Sequence, residues 1–182
     1  MKLLSIKKIT AIGIGTALFI VLSYLIIPTG VPNTSIQPRI AILSFFSIVF
    51  GPIVGFSIGI LGHALADAFQ WGSIWWSWVI ADGALGLLIG LFYKQLDVEN
   101  KLFDIKNIIY FNGIQIIANS VCWIFLAPTL DILMYKEPLD KVYFQGIISF
   151  IVNSFTVLVI GTIIIKYYSK SKAGNNNLTK ED

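Results

Sequence analysis

Apolar residues fall along this chain in six blocks, parted by short polar or proline-containing breaks. The blocks cover about residues 9–27, 39–50, 52–68, 75–93, 107–126 and 145–168. A helix needs ~20 predominantly apolar residues to cross the hydrocarbon core of a bilayer. The pattern therefore predicts an all-α membrane protein with six transmembrane helices. The second block is too short for an ordinary crossing, and Gly51-Pro52 makes a tight break after it. A single re-entrant unit in place of blocks two and three is the alternative, and it would make the number of crossings odd.

Composition supports the bilayer as solvent. The 182 residues are 56% hydrophobic and only 13% charged, far less charged surface than a water-soluble domain of this size carries. Cys122 is the only cysteine, so no internal disulfide forms. A net charge of +3 with no basic, aromatic-studded face gives no sign of nucleic-acid binding. The first block is long and lacks a small-residue cleavage site, so it reads as a retained helix.

Basic residues choose between the topologies. With six crossings, both termini and the 94–106 loop share one side. Lys2, Lys7, Lys8, Lys94, Lys101, Lys106, Lys166, Lys170, Lys172 and Lys180 then lie together, ten of the thirteen basic residues, opposite Arg39, Lys136 and Lys141. The positive-inside rule places the larger group, and both termini, in the cytoplasm of a multi-pass cell-membrane protein. An odd number of crossings would lose this asymmetry.

The breaks have their own character. Residues 27–38 read IPTGVPNTSIQP, a stiff, non-helical external loop long enough to fold over a pocket. Residues 127–144 form a second external loop of mixed charge. The stretch from Ser169 reads SKSKAGNNNLTKED and is expected to be a disordered cytoplasmic tail over 169–182, after a six-helix transmembrane domain over 1–168.

Polar residues concentrate in the outward halves of the blocks. In the third, Gly51, Gly55, Gly59, His63 and Asp67 recur every four positions and so keep to one slowly drifting helix face. A central intramembrane Asp costs ~2.5–3.5 kcal/mol on insertion scales, so His63 and Asp67 should face the bundle or water. They are either ligand contacts or a mutually satisfied pair. The segment QWGSIWWSWVIAD, residues 70–82, holds four of the five tryptophans. Some belong to an interfacial aromatic belt. Four in eight residues cannot all face one headgroup layer, so at least one of Trp71, Trp75, Trp76 and Trp78 is expected to touch a ligand, with Asp82 beyond them.

Asn112, Gln115, Asn119 and Trp123 form a polar stripe on the fifth block, and Gln145, Ser149, Asn153 and Thr156 form another on the sixth. Such stripes face the bundle. Amides suit the edge of a heterocycle because they both donate and accept. Asn112 and Gln115 fit plain interhelical bonding better. The candidate ligand-binding set is His63, Asp67, Trp75, Trp78, Asp82, Asn119, Trp123, Gln145 and Asn153. Small residues mark close-packing faces: Ala11, Gly13, Gly15 and Ala17 on the first block, Gly86 and Gly90 on the fourth. Each face serves either internal packing or docking of another membrane subunit.

Other chemistry lacks its residues. There is no nucleotide-binding GxxxxGK[ST], no Gly-x-Ser-x-Gly and no His/Cys/Glu set at metal-ligand spacing; His63 and Asp67 alone are a weak metal signal. No catalytic residue, metal or cofactor is expected. The paired, broken half-helices of a secondary transporter are not evident.

The short helices, the small-residue motif on the first, the long first external loop and the polar outer halves resemble the substrate-binding S component of an energy-coupling factor (ECF) transporter. IPTGVPNT, FGPIVGFSIGILGHALAD, GSIWWSWVI and IGLFYKQL are similar to an S-component family sometimes labelled riboflavin-type, over about residues 7–168. The resemblance implies a subunit that binds a vitamin or precursor from outside and joins a transmembrane coupling subunit and two cytoplasmic ATPases. It also implies that the protein topples in the bilayer to deliver its load. The family's coupling contact is an Ala-x-x-x-Ala motif on the first helix. Here that place holds Ala11-x-x-x-Gly15 and Gly13-x-x-x-Ala17.

The leading expectation is therefore capture of a vitamin-like flat heterocycle: riboflavin, or a thiamine or queuosine precursor. A stand-alone proton-coupled carrier using His63, Asp67 and Asp82 is the alternative. An intramembrane enzyme with His63 and Asp67 as acid and base has no nucleophile or metal to support it.

Overall fold

The computed structural model describes residues 5–32 and 34–178. Helix α1 spans Ile6–Ser23 and is capped by Ser5, whose hydroxyl accepts from Lys8 N. A two-stranded antiparallel hairpin follows, β1 (Ile27–Pro28) against β2 (Ser35–Ile36). Its turn is tied by the Thr29 hydroxyl, 3.0 Å from Thr34 O. The stiff loop expected here is thus a small hairpin.

Helix α2 (Arg39–Phe50) runs into α3 (Pro52–Trp71) through Gly51, whose φ of 96° favours glycine and whose successor Pro52 starts the new helix. Gly72, at φ 70°, ends α3 in the left-handed conformation. Helix α4 (Trp76–Gly90) follows, then the single turn α5 (Tyr93–Leu96). Asp104 caps α6 (Ile105–Asn119) through Asn107 N at 2.9 Å.

Beyond α6 the chain departs from expectation. The fifth block does not stop at Leu126. It widens into a π-helical stretch, Ser120–Leu126, and continues as α7 (Ala127–Tyr135). Pro128 accounts for the π turn. Proline has no N–H and its ring crowds the carbonyl four residues back. Widening the preceding turn, with Ala127 N bonded to Cys122 O, lets the helix pass it. The expected 127–144 loop shrinks to a few residues around Lys136, at φ 55°. Helix α8 (Leu139–Thr156) passes through a second π-helical stretch, Val157–Gly161, into α9 (Thr162–Leu178). The backbone stays helical past Ser169, where a disordered tail was expected; the last part of that tail, 179–182, lies outside the described residues.

Among the described residues, five helical segments are long and apolar enough to cross a membrane: Ile6–Ser23, Pro52–Trp71, Trp76–Leu96, Ile105–Tyr135 and Leu139–Lys172. Ile9, Val21, Ile109, Ile117, Phe155 and Ile163 point outward from them, as a lipid-facing surface requires. The protein is an all-α multi-pass membrane protein. Helix α2 is the exception. At twelve residues it is about 18 Å long. It lies among α1, α3, α4 and α8, with Ile40, Leu43, Ile48 and Val49 buried.

The glycine row on α3 settles one open choice. A Cβ on Gly55 would strike Gly86 backbone and Ser47, and one on Gly59 would strike the Asp82 backbone. Gly90 abuts Pro52 in the same way. The Gly86/Gly90 face of α4 is therefore spent on packing inside the chain, and this close approach sets the distance between His63 on α3 and Asp82 on α4.

Candidate functional site

A cavity of about 480 Å³ opens at the hairpin end of the bundle. The hairpin supplies Pro28, Thr34 and Ser35 to its wall, the connection after it Gln37, and α2 Arg39. From α3 and the turn after it come His63, Asp67, Gln70, Trp71, Ser73 and Trp75; from α4, Trp78. Asp131 of α7 and Glu137, Lys141 and Gln145 near the start of α8 close the circle.

Two carboxylates organise this wall. Asp67 Oδ2 accepts from Trp75 N at 3.0 Å, and the Tyr135 hydroxyl lies 2.9 Å from Trp76 N. These groups satisfy the free amides at the start of α4, where a negative charge is also favoured by the helix dipole. Asp131 accepts from Trp75 Nε1 at 2.7 Å, from Trp78 Nε1 at 2.8 Å and from the Ser77 hydroxyl. Behind the indoles lie aromatic supports. Tyr135 stacks on Trp75 with centroids 4.3 Å apart, and Trp123 lies 5.3 Å from Trp78.

His63 is buried between two acids. Its Nε2 is 3.4 Å from Asp67 Oδ1 and its Nδ1 is 2.7 Å from Asp82 Oδ2. His63 and Asp67 are near enough to pair, and both border the cavity. Arg39 leans on α1, its guanidinium 5.0 Å over the Phe19 ring and its Nη1 3.4 Å from Ser23 Oγ.

Of the nine candidate residues, His63, Asp67, Trp75, Trp78 and Gln145 border the cavity. Gln145 also ties the hairpin down, donating from Nε2 to Pro32 O at 2.8 Å. Asp82, Asn119, Trp123 and Asn153 stand off the wall. Asp82 is sealed between α3 and α4 and reaches the cavity only through His63. Trp123 Nε1 donates to Asn119 Oδ1 at 2.9 Å, Asn119 Nδ2 lies 3.0 Å from Gln115 Oε1, and Asn112 Nδ2 donates to Thr162 Oγ1 at 3.0 Å. The α6 amides bond one another and their neighbours rather than border the cavity. Asn153 is buried on α8 away from the wall.

Sequence reasoning missed Arg39, Asp131, Glu137 and Lys141. Asp131 carried a usable signal, an acid within an apolar helix. Ending the fifth block at Leu126 hid it. On helix α1, Ala11 and Gly15 turn inward, and a Cβ on Gly15 would run into Ile58. Gly13 and Ala17 are exposed, with open space around Gly13.

An apolar bundle holding one aromatic, acid-lined cup is the build of a membrane protein that binds a small molecule. Comparison with known families makes that specific. The chain belongs to the family described as ECF-type riboflavin transporter, S component, whose model matches residues 3–170. It is thus a transporter component and not an enzyme. A UPF0397 protein of Lactobacillus acidophilus is 49% identical over 98% of this chain and 97% of its own length. UPF0397 proteins of Lactobacillus gasseri and Staphylococcus aureus are 45% and 48% identical, over the same shares.

Proposed function

We propose that this chain is the substrate-capture subunit of an ECF-type importer and takes a flat, vitamin-like heterocycle from outside the cell. The observation that carries the reading is the cup in which Trp75, Trp78, Asp67, Asp131 and Arg39 border a space of about 480 Å³. Small-molecule sites occupy about 300–1,000 Å³ and combine apolar walls with a few fixed polar groups. Indole faces suit a flat ring through stacking. Riboflavin and thiamine or queuosine precursors share that shape.

In this reading the chain crosses the bilayer six times, with α2 short because other helices shelter it. Lys7, Lys8, Lys94, Lys101, Lys106, Lys166, Lys170 and Lys172 then face the cytoplasm, as does each terminus; Lys2 and Lys180 lie outside the described residues. The cup opens outward. The exposed Gly13/Ala17 face of α1 meets the coupling subunit, which works with two ATPases.

Uptake of labelled ring compounds by cells expressing the chain with and without a coupling subunit and ATPases tests this. Transport requires the partners. Gly13→Leu abolishes transport, since a bulky side chain blocks close helix approach, while the purified variant still quenches its tryptophan fluorescence on binding. Uptake that persists without ATPases and collapses with the proton gradient supports instead the proton-coupled carrier built on His63, Asp67 and Asp82.

A further inference from the structure

We infer that the cup selects a ring bearing a positively charged nitrogen over neutral or anionic rings; this rests on the capture reading above. Four carboxylates stand at the wall or directly behind it: Asp67, Asp82, Asp131 and Glu137. The fixed cations are two, Arg39 and Lys141. A protonated His63 leaves one negative charge in excess, and a neutral His63 leaves two. The sign does not depend on the histidine.

The excess is localised. Lys141 Nζ lies 2.5 Å from Glu137 Oε2, so that pair is balanced. Arg39 and His63 are grouped with Asp67 and Asp82 around α3, which balances that group when His63 is protonated and leaves it one negative charge when His63 is neutral. Among the described residues, no Lys, Arg or His nitrogen lies within 4.0 Å of Asp131. Asp131 is 2% exposed, so bulk water does little to screen it. Three donors and no acceptor around it are the surroundings of an ionised carboxylate. A buried charge held only by neutral donors is costly until an opposite charge joins it.

The same acid holds the second element of cation recognition. Asp131 fixes two indoles by their N–H groups, and both border the cavity. The face of a tryptophan attracts a cation more strongly than that of any other side chain. An anion entering the cup adds to a negative excess, and a carbonyl-rich neutral ring meets carboxylates that only accept.

The test is a fluorescence titration of the purified full-length chain in lipid nanodiscs at pH 7. The probes are a pyrimidine and a purine-sized bicycle, each as aminomethyl (cationic), hydroxymethyl (neutral) and carboxylate (anionic) derivatives. A hydrogen bond to a charged group is worth about tenfold or more in affinity. The aminomethyl form of at least one ring binds at least about tenfold more tightly than its hydroxymethyl form, with the carboxylate weakest. Asp131→Asn and Asp67→Asn each flatten the series. Equal or tighter binding of the neutral or carboxylate forms overturns the charge inference and leaves capture of a flat ring standing. The same holds if either variant keeps the wild-type preference. Failure of every ring in every charge state to bind the folded protein overturns the capture reading along with it.

Discussion

Replacing Asp131 with alanine lowers ligand affinity by at least about a hundredfold, the equivalent of 2.8 kcal/mol. The effect is large because one side chain serves three donors. Trp75 Nε1, Trp78 Nε1 and the Ser77 hydroxyl all converge on its two oxygens. Each buried donor left without an acceptor costs about 1–3 kcal/mol. Water entering the vacated space recovers some of that, but it does not hold two indoles at fixed angles. The loss thus falls on the shape of the wall as well as its charge. Asp131→Asn keeps one acceptor oxygen and presents an amide N–H to the remaining donor, so it retains more affinity than the alanine variant. A titration by tryptophan quenching checks both. Affinity unchanged in Asp131→Ala would show that the indoles need no anchor, or that the ligand lies elsewhere.

The second large effect is on stability. Gly59→Ala lowers the unfolding midpoint by about 6 °C. A Cβ at Gly59 meets the carbonyl group of Asp82 and the Gly83 nitrogen. Backbone on both sides gives no room, so α3 and α4 must part. Overpacking of this kind costs about 1–3 kcal/mol, and 1 kcal/mol moves the midpoint by about 2–4 °C in a chain of this length. The change also lies one helical turn from His63, so the short His63–Asp82 contact loosens with it. Gly13→Ala is the matched comparison. Nothing lies within 4 Å of a Cβ there, and alanine is the better helix former. Its midpoint holds or rises. Thermal unfolding in detergent measures both, and a Gly59→Ala protein as stable as the parent would contradict the packing described for α3 and α4.

Much of the bundle is legible in the residue pattern, for stated reasons. The break at Gly51-Pro52 is legible because both residues have few backbone options. The His63/Asp67 face is legible because a four-residue spacing keeps them together and hydrocarbon excludes them from the outside. The tryptophan cluster is legible because four indoles exceed what an interface belt on one helix face holds. The path through Pro128 is not legible in this way. Proline ends most helices, and only the three-dimensional accommodation by a π turn shows that this helix continues. That one boundary conceals Asp131, Tyr135 and the true start of α8. The amide stripe misleads in the opposite sense. Asn119 and Trp123 have the right depth and chemistry for a pocket, but their partners are Gln115 and each other, a pairing that side-chain geometry decides. Arg39 reads as a helix-end charge until the hairpin folds beside it.

In the proposed topology, the cup at the hairpin end faces the outside of the cell. Ser73 lies on its wall, between α3 and α4, and the native Cys122 is fully buried. A Ser73→Cys variant in a Cys122→Ala background reports the side directly. In intact cells, a membrane-impermeant maleimide labels this cysteine without permeabilisation. Labelling only after the membrane is opened would place the cup on the cytoplasmic side and contradict the account.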